Sequence, residues 1–371
     1  MQKRILITGG AGFIGSHLAD ELIEHGYAVR ILDNLLPQVH GETRDRPEYL
    51  NAGAEFIYGD VRQSETVCAA LAGVDAVVHF AAAVGVGQSM YEIKKYTDIN
   101  ALGTSVLLEA LLERPIERLI IASSMSIYGE GMYRSATGHL IDNARRSLKH
   151  LKASQWELCD GQGNPLNPVA TPETKPPEIA SVYALSKYVQ ERMCLMIGQT
   201  YRIPTVALRF FNVYGTRQSL SNPYTGVLAI FASRFLNEKS PMLFEDGYQR
   251  RDFVSVLDVA HACRLALESE CHGEVFNIGS GASYSIVQIA DLMAEVLNKK
   301  HLRPQISGKY RVGDIRHCFA DISKAQSMLG FQPRITLEKG IEDFARWLEG
   351  RNAQDYVDSV NAELTMRGLT M

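Results

Sequence analysis

Residues 8–15, Thr8-Gly9-Gly10-Ala11-Gly12-Phe13-Ile14-Gly15, decide the fold. They follow the apolar run of residues 4–7, which predicts a buried strand, and they open a helical stretch that reaches Glu24. A tight turn that a pyrophosphate must approach closely needs residues without Cβ, and the following helix N-terminus offers N–H groups and partial positive charge. A glycine loop between a strand and a helix therefore predicts a dinucleotide-binding turn.

Further apolar runs alternate with helical stretches along the first half of the chain. They predict strands at residues 29–32, 55–58, 76–80 and 119–122, and a later strand at residues 205–209. Runs of this kind, each followed by a helix, indicate a parallel sheet that is covered on both faces. The predicted fold class is α/β: a doubly wound parallel (Rossmann) sheet, with a smaller mixed α/β C-terminal substrate domain.

Length and composition predict two domains. We expect residues 1–207 to form the dinucleotide-binding domain and residues 208–371 to form a substrate domain that is partly interleaved with it. Residues 131–178 contain five prolines and predict a loop-rich insertion with a short helix near residues 143–155. The polar tail after about residue 352 is expected to be loosely ordered.

Charge and cysteine usage exclude several classes of protein. The formal net charge is −4 and no basic stripe is visible, which argues against nucleic acid as a partner. No apolar run approaches the roughly 18–20 residues that cross a bilayer, and no signal peptide is recognised, so we predict no membrane partner and a cytoplasmic location. The six cysteines are scattered without a C-x-x-C pair, which predicts neither a disulfide framework nor a metal site.

Two aspartates at predicted strand ends are candidate cofactor ligands. Asp33, eighteen residues after Gly15, can bind both ribose hydroxyls of an adenosine and would repel a 2′-phosphate, so NAD is predicted rather than NADP. A turn role for Asp33, next to Asn34, is the alternative. Asp60 can accept a hydrogen bond from the adenine amino group, or it can be an exposed loop residue.

Tyr183 and Lys187 stand four residues apart at the start of a predicted helix, which places them on one helical face. A free tyrosine is a poor base at neutral pH, but a nearby ammonium and a positive nicotinamide favour the phenolate. Ser124 closes an apolar strand, where ligands bind in doubly wound sheets, and can hydrogen-bond the reacting hydroxyl. The alternative makes Ser123 and Ser124 turn residues and Tyr183 a buried ring.

With these residues in hand, the chain resembles the extended short-chain dehydrogenase/reductase family, in its sugar-nucleotide epimerase and dehydratase branch. The resemblance covers about residues 3–345 and includes His79-Phe80-Ala81-Ala82, Arg209-Phe210-Phe211-Asn212-Val213-Tyr214-Gly215, Arg250-Arg251-Asp252-Phe253-Val254 and Tyr310-Arg311-Val312-Gly313-Asp314. It implies the catalytic set Ser124, Tyr183 and Lys187.

The resemblance also implies the residues that contact each ligand. The expected NAD contacts are Gly9, Gly12, Phe13, Ile14, Gly15, Asp33, Asn34, Asp60, Val61, Phe80, Ala81, Ala82, Asn100, Ser123, Tyr183, Lys187 and Phe210. The expected nucleotide-sugar contacts are Val84, Ser124, Ser126, Asn212, Arg251, Arg311 and Asp314, with Asn212, Arg251 and Arg311 on phosphate, which guanidinium groups bind well.

Departures from the family pattern narrow the reaction. Its 4,6-dehydratases carry an Asp-Glu pair where this chain has Met125 and Ser126, so dehydration is disfavoured and inversion at C4 is expected. Val84 stands where UDP-galactose 4-epimerases carry lysine, and the insertion is longer than theirs. Both features look more like the dTDP-L-rhamnose 4-epimerase branch. The insertion can form part of the sugar pocket or be a surface elaboration.

Two other functions stay open at this point. A sugar-nucleotide dehydrogenase or 4-ketoreductase would release its cofactor, and a catalytically silent relative would bind NAD as a sensor. The family often pairs two helices per subunit, and apolar stripes within residues 98–112 and 184–200 are suitable for a homodimer: Leu102, Val106 and Leu111, and Val189, Met193 and Met196.

Overall fold

A seven-stranded parallel sheet forms the centre of the molecule. Its strand order is β14 (Glu274–Ile278), β9 (Thr205–Phe210), β5 (Arg118–Ser124), β4 (Ala76–His79), β1 (Arg4–Thr8), β2 (Ala28–Asp33) and β3 (Glu55–Tyr58). The computed structural model describes residues 2–42, 44–311 and 313–371. The strand order reverses between β1 and β4, so the loops that follow these two strands diverge and leave a crevice at the carboxyl edge of the sheet. The predicted doubly wound fold is confirmed.

The strands are β1 Arg4–Thr8, β2 Ala28–Asp33, β3 Glu55–Tyr58, β4 Ala76–His79, β5 Arg118–Ser124, β6 Met132–Arg134, β7 Leu140–Ile141, β8 Asn167–Val169, β9 Thr205–Phe210, β10 Asn212–Tyr214, β11 Met242–Leu243, β12 Arg250–Arg251, β13 Phe253–Ser255, β14 Glu274–Ile278, β15 Tyr284–Ser285, β16 Gln305–Ile306 and β17 His317–Cys318.

The α-helices are α1 Phe13–Glu24, α2 Pro37–His40, α3 Ser64–Ala70, α4 Val86–Ser89, α5 Ile93–Tyr96, α6 Gly103–Glu113, α7 Leu148–Lys152, α8 Val182–Tyr201, α9 Val227–Leu236, α10 Val256–Glu268, α11 Ile286–Val296, α12 Ser323–Leu329, α13 Leu337–Leu348 and α14 Val357–Met366. A π-helical segment, Thr97–Leu102, joins α5 to α6, and a 3₁₀ turn, Met125–Tyr128, follows β5.

The inner strands of the sheet bury both of their faces, whereas the edge strand β3 is partly exposed. In β1, Ile5 and Ile7 face the cluster that contains α1 and α10, whereas Leu6 faces the cluster that contains α3, α6 and α8. Successive side chains of a strand point to opposite faces, so a continuous apolar run is what a sheet covered on both sides requires. The strands thereby present their carboxyl ends along one edge.

The C-terminal half is mixed α/β and is interleaved with the sheet. A third apolar cluster joins α9, α11 and α13, and short two- and three-stranded sheets surround it. In contrast, β14 pairs with β9 in the main sheet, and α10 packs on α1. The smaller mixed C-terminal region is as predicted, while the domain boundary at residues 207 and 208 stays a prediction.

The insertion is more regular than expected. Residues 131–178 contain the antiparallel sheet β7-β6-β8 and the short helix α7, with a small core around Tyr133 and Leu158. Most of its residues nevertheless lie outside helices and strands, as predicted for a loop-rich insertion, and a short helix does lie within residues 143–155. The small sheet was not predicted. The strands are only two or three residues long, too short for a period-2 pattern to be recognised.

Buried ion pairs fasten the insertion to the C-terminal half. Arg146 donates to Glu245 and, at 2.8 Å, to the main-chain oxygen of Asp314, and its Nε lies 3.4 Å from Glu130. Arg316, whose side chain is fully buried, donates to Glu157, Glu245 and Asp246. Charges buried at this depth need such partners, so this network fixes the segment around residues 311–317.

The C-terminal tail is also ordered, which corrects the expectation for residues after 352. These residues form α14, whose Leu364 is buried, and the main chain of Met371 pairs with that of Tyr310. Within the described residues, no helix is long and apolar enough to cross a membrane.

The apolar stripes proposed for a homodimer contain both exposed and buried residues. Leu102 and Met196 are about half exposed, whereas Leu111 is buried in the core against the sheet. The homodimer stays a prediction.

Removal of Arg146 is predicted to be costly because it leaves two buried carboxylates, Glu130 and Glu245, without this partner. Arg146→Ala should lower the free energy of unfolding by about 3–5 kcal/mol in chemical denaturation. The neighbouring Arg145 is largely exposed and pairs with Glu178 at the surface, so Arg145→Ala should cost less than about 1 kcal/mol. Equal effects of the two substitutions would contradict the stabilising role of the network.

Candidate active site

One cavity of about 680 Å³ opens at the carboxyl edge of the main sheet. It is lined by every predicted site residue except Asn100. The cavity begins at the glycine loop, passes the ends of β4, β5 and β9, and continues between β11 and α14. The predicted cofactor and substrate residues, which are far apart in sequence, therefore share one continuous space.

The glycine loop approaches its neighbours too closely for side chains at two positions. Gly9 has φ of +69°, and a Cβ there would lie 2.7 Å from the Ala81 nitrogen. A Cβ on Gly15 would lie 2.6 Å from the Cα of Gly10. Gly12 is different, because its Cβ would meet only the Gly9 oxygen, at 3.2 Å, and would otherwise fill the cavity. Gly12 thus leaves room for a phosphate at the start of α1, which fits a bound dinucleotide.

The two predicted adenosine ligands lie beside this loop. Asp33, at the end of β2, accepts hydrogen bonds from the main-chain N–H groups of Ala11 and Leu35, which orient its carboxylate in the cavity wall. Asp60 accepts from Asn34 and from Arg62, and the hydrogen bonds from Arg62 lower the pKa of Asp60 to about 2. Asp60 is therefore ionised at neutral pH and retains acceptor capacity.

The predicted catalytic residues meet where β5 ends and α8 begins. Ser181 caps α8 through a hydrogen bond from the Ala184 nitrogen to its hydroxyl, so Tyr183 lies in the first helical turn. Burial raises the pKa of Tyr183, and a hydrogen bond with Ser124 opposes that shift. The phenol is thus protonated in this state, and it needs added positive charge to act as a base.

Lys187 supplies a positive charge in this part of the site, although its hydrogen-bond partner is Gln190 and not Tyr183. Its Nζ donates to the Gln190 side-chain oxygen at 2.7 Å, and burial lowers the pKa of Lys187 to about 8. Gln190 in turn donates to Thr104, which also contacts His79. Burial lowers the pKa of His79 to about 3, so this imidazole is neutral and the lysine remains the cation of the group near pH 7.

Asn100 and Ser123 position the main chain and the helix. The Asn100 side chain accepts from the Ala83 nitrogen and donates to the Ala83 oxygen and to Ser186, and Asn100 itself does not line the cavity. It therefore anchors the loop after β4 to α8. The Ser123 hydroxyl donates to the buried carboxylate of Glu191, so only other atoms of Ser123 face the cavity.

The substrate side of the cavity contains buried polar atoms without partners. Among the described residues, Asn212 Oδ1, Gln249 Oε1 and Arg311 Nε are buried without a hydrogen bond. The Arg311 guanidinium lies over the Phe244 ring, 4.1 Å from its centre. Unpaired buried groups are costly, so a polar ligand at these atoms would relieve the cost.

Arg251 and Asp314 line the same end of the cavity in a different way. Arg251 donates to the main-chain oxygens of Ile315 and Arg316, and its Nη2 lies 3.8 Å from the Asp314 carboxylate. It thus supports the Arg311-bearing segment, of which Val312 lies outside the described residues. No residue of the insertion lines the cavity among those described, so the insertion supports this segment from outside, through the hydrogen bond from Arg146 to the main-chain oxygen of Asp314.

Sequence reasoning missed the residues that close the cavity opposite the sheet. They come from the loop before α9 and from the tail: Gln218, Ser219, Asn222, Tyr224, Val357, Val360, Asn361, Leu364 and Leu369. The polar composition of the tail carried no signal for this role.

Comparison with known proteins agrees with this geometry. Residues 5–279 match the NAD dependent epimerase/dehydratase family. The chain belongs to this family. A dTDP-L-rhamnose 4-epimerase of Burkholderia thailandensis is 36% identical over 352 residues, which cover 93% of this chain and 95% of that protein.

Solved structures of family members are similar over nearly the whole chain. UDP-glucose 4-epimerase of Thermotoga maritima, solved with UDP-glucose, gives a TM-score of 0.74 at 31% identity, with 93% of this chain and 98% of that chain covered. UDP-glucuronic acid 4-epimerase of Bacillus cereus, solved with UDP-glucuronic acid and NAD, gives a TM-score of 0.76 at 28% identity, with 93% of this chain and 99% of that chain covered. The family is NAD dependent, which confirms the predicted cofactor.

Alanine substitutions in the glycine loop should separate folding from cofactor binding. Gly12→Ala places a methyl group in the space predicted for the pyrophosphate, so the affinity for NAD should fall at least about tenfold while the melting temperature changes little. Gly15→Ala drives a methyl group into the Gly10 backbone and should cost about 1–3 kcal/mol of stability. NAD titration and thermal unfolding of both variants measure the two effects. Unchanged NAD affinity of Gly12→Ala would refute the placement of the pyrophosphate at Gly12.

Proposed function

We propose that this family member is a sugar-nucleotide 4-epimerase that retains its NAD, an isomerase acting on an NDP-hexose or NDP-6-deoxyhexose. The observation that carries the proposal is that one cavity is lined by Ser124, Tyr183 and Lys187 and also by Asn212 and Arg311, whose side chains have buried atoms without hydrogen bonds. A reaction centre and a candidate diphosphate anchor are thus within one substrate's reach. The relatives at similar length that are 4-epimerases support the same reaction.

Each residue of the catalytic set has a defined task. Tyr183 takes the proton from the C4 hydroxyl, and Ser124 holds the same oxygen by a hydrogen bond. Ser124 is itself oriented, because its Oγ accepts from the N–H and hydroxyl of Ser126. Lys187, still cationic near pH 7, favours the Tyr183 phenolate and would hold the cofactor ribose. Bound NAD would supply the hydride acceptor and donor.

Inversion requires that the 4-keto sugar present its other face before reduction. The anchor for this rotation is the diphosphate, which Asn212 and Arg311 would hold while the sugar turns. Val84, which is 55% exposed, lines the cavity near the loop after β4 and offers the sugar no charge that would fix one orientation. A wall without a strong polar contact permits both orientations of the ring.

Dehydration is disfavoured by the residues after Ser124. Met125 has no acid–base group, and the Ser126 hydroxyl donates to Ser124. Neither residue can remove a proton from C5 or donate one to a leaving hydroxyl at C6. The preferred substrate class within the proposal is a dTDP-linked 6-deoxyhexose, supported by the 36% identity to the dTDP-L-rhamnose 4-epimerase.

Loss of the Tyr183 hydroxyl should stop turnover without loss of cofactor. Tyr183→Phe removes the general base, and kcat should fall by about 10²–10⁴-fold while the NAD content of the purified protein stays unchanged. Tyr201→Phe, a change in an exposed tyrosine of the same helix, should behave as the unchanged protein. Near-normal turnover of Tyr183→Phe would exclude the mechanism.

The substrate is best found by incubation without added cofactor. The purified protein in D2O would be given dTDP-L-rhamnose, UDP-glucose, UDP-galactose, UDP-N-acetylglucosamine or GDP-sugars, and proton NMR would follow new anomeric signals. We expect a C4-inverted product from one sugar nucleotide with no deuterium at carbon. A strict need for added NAD or NADH would favour a dehydrogenase or ketoreductase, and deuterium at carbon would indicate enolisation.

A further inference from the structure

The C-terminal segment, residues 357–371, forms one wall of the proposed substrate site. Val360, Asn361, Leu364 and Leu369 line the cavity, although the segment lies beyond the residues that match the family. It follows α13 along the chain and returns across the mouth of the cavity. The wall is therefore built by residues outside the family match.

This segment is attached to both rims of the cavity. On one rim, Tyr310 and Met371 exchange main-chain hydrogen bonds of 2.9 and 3.0 Å, next to Arg311. On the other rim, the Leu364 side chain packs against Gly87, so closely that a Cβ added to Gly87 would lie 3.4 Å from it. The Arg367 guanidinium lies over the Tyr91 ring, 4.1 Å from its centre. Contacts at both ends hold α14 in place over the cavity.

The order of groups in the cavity shows which part of a substrate reaches α14. The reacting sugar carbon must lie at Tyr183, and the diphosphate at Asn212 and Arg311. Arg311 covers the ring of Phe244, which is two residues after Met242, so the opposite end of the substrate would extend toward Met242. There the Asn361 amide nitrogen lies 3.5 Å from the Met242 sulfur.

Asn361 is suited to bind a polar edge at this position. A thioether sulfur is a weak acceptor, so the contact with Met242 leaves the amide oxygen and N–H groups of Asn361 available for a ligand. An amide presents a donor beside an acceptor, which matches the N–H and C=O pair of a uracil or thymine ring. The apolar side chains of Val360 and Met242 beside it suit the faces of such a ring.

We infer that α14 is the nucleobase wall of the substrate site, with Asn361 hydrogen-bonded to the base of a pyrimidine nucleoside diphosphate. The inference rests on the proposed function, because the direction of the substrate follows from the reaction centre. It adds a specificity-determining residue and a secondary-structure element to the site. Adenine has no ring N–H beside a carbonyl and should be bound less well.

Binding of sugar-free nucleotides tests the inference without any need for turnover. Isothermal titration of the NAD-loaded protein with dTDP and with UDP should give a Kd about tenfold higher for Asn361→Ala than for the unchanged protein. NAD content and kcat should be unchanged, and the loss should appear in KM. Met366→Ala alters an exposed residue of the same helix that does not line the cavity, and it should bind both nucleotides normally.

A second measurement uses the unaltered chain. Hydrogen exchange of residues 357–371 should slow when dTDP is added and should not slow with ADP. Equal nucleotide affinity for Asn361→Ala, or no protection of residues 357–371 by dTDP, would overturn the inference. A protein that binds dTDP through Asn361 but epimerises no sugar nucleotide would refute the proposed function and leave the nucleobase wall standing.

Discussion

The ion pair between Glu191 and Arg209 holds the two sides of the reaction centre together. Arg209 in β9 donates two hydrogen bonds, of 2.7 and 2.9 Å, to the carboxylate of Glu191 in α8, and both side chains are buried. Glu191 lies one turn after Lys187 and also accepts from Ser123, the neighbour of Ser124. The distance between the serine at the strand end and the tyrosine and lysine on the helix therefore depends on this pair. Burying two charges is tolerated here because each has several hydrogen bonds.

The same pair connects the sheet to the rest of the molecule. Arg209 also donates to the Tyr128 hydroxyl, which donates to Asn277 in β14. The Asn277 amide donates to the main-chain oxygens of Thr171, in the insertion, and Asp321, in the C-terminal half. One chain of buried hydrogen bonds thus connects the main sheet, the turn after β5, the insertion and the C-terminal half. Such networks give a site a fixed geometry because a partial loss leaves buried groups unpaired.

Local patterns predicted the parts of this arrangement that are close in sequence. Gly9 and Gly15 could be recognised because the turn needs them within a few residues, and Tyr183 and Lys187 because four residues make one helical turn. Two partners of Arg146, Glu245 and Asp314, lie 99 and 168 residues away, and no sequence spacing records such contacts. The tail containing Asn361 has a polar composition typical of a loose terminus, and its order comes from tertiary packing. Long-range contacts therefore account for most of what the sequence did not reveal.

The central claim is that Tyr183 and its neighbours drive a reversible oxidation at C4 in which the hydride never leaves the protein. The most direct test uses the substrate found by the NMR screen, deuterated at C4 and given to the protein without added cofactor. The account predicts that both C4 epimers keep the deuterium at C4 at equilibrium, in the presence or absence of a large excess of unlabelled NADH. Loss of deuterium to water or exchange with the added NADH would contradict it.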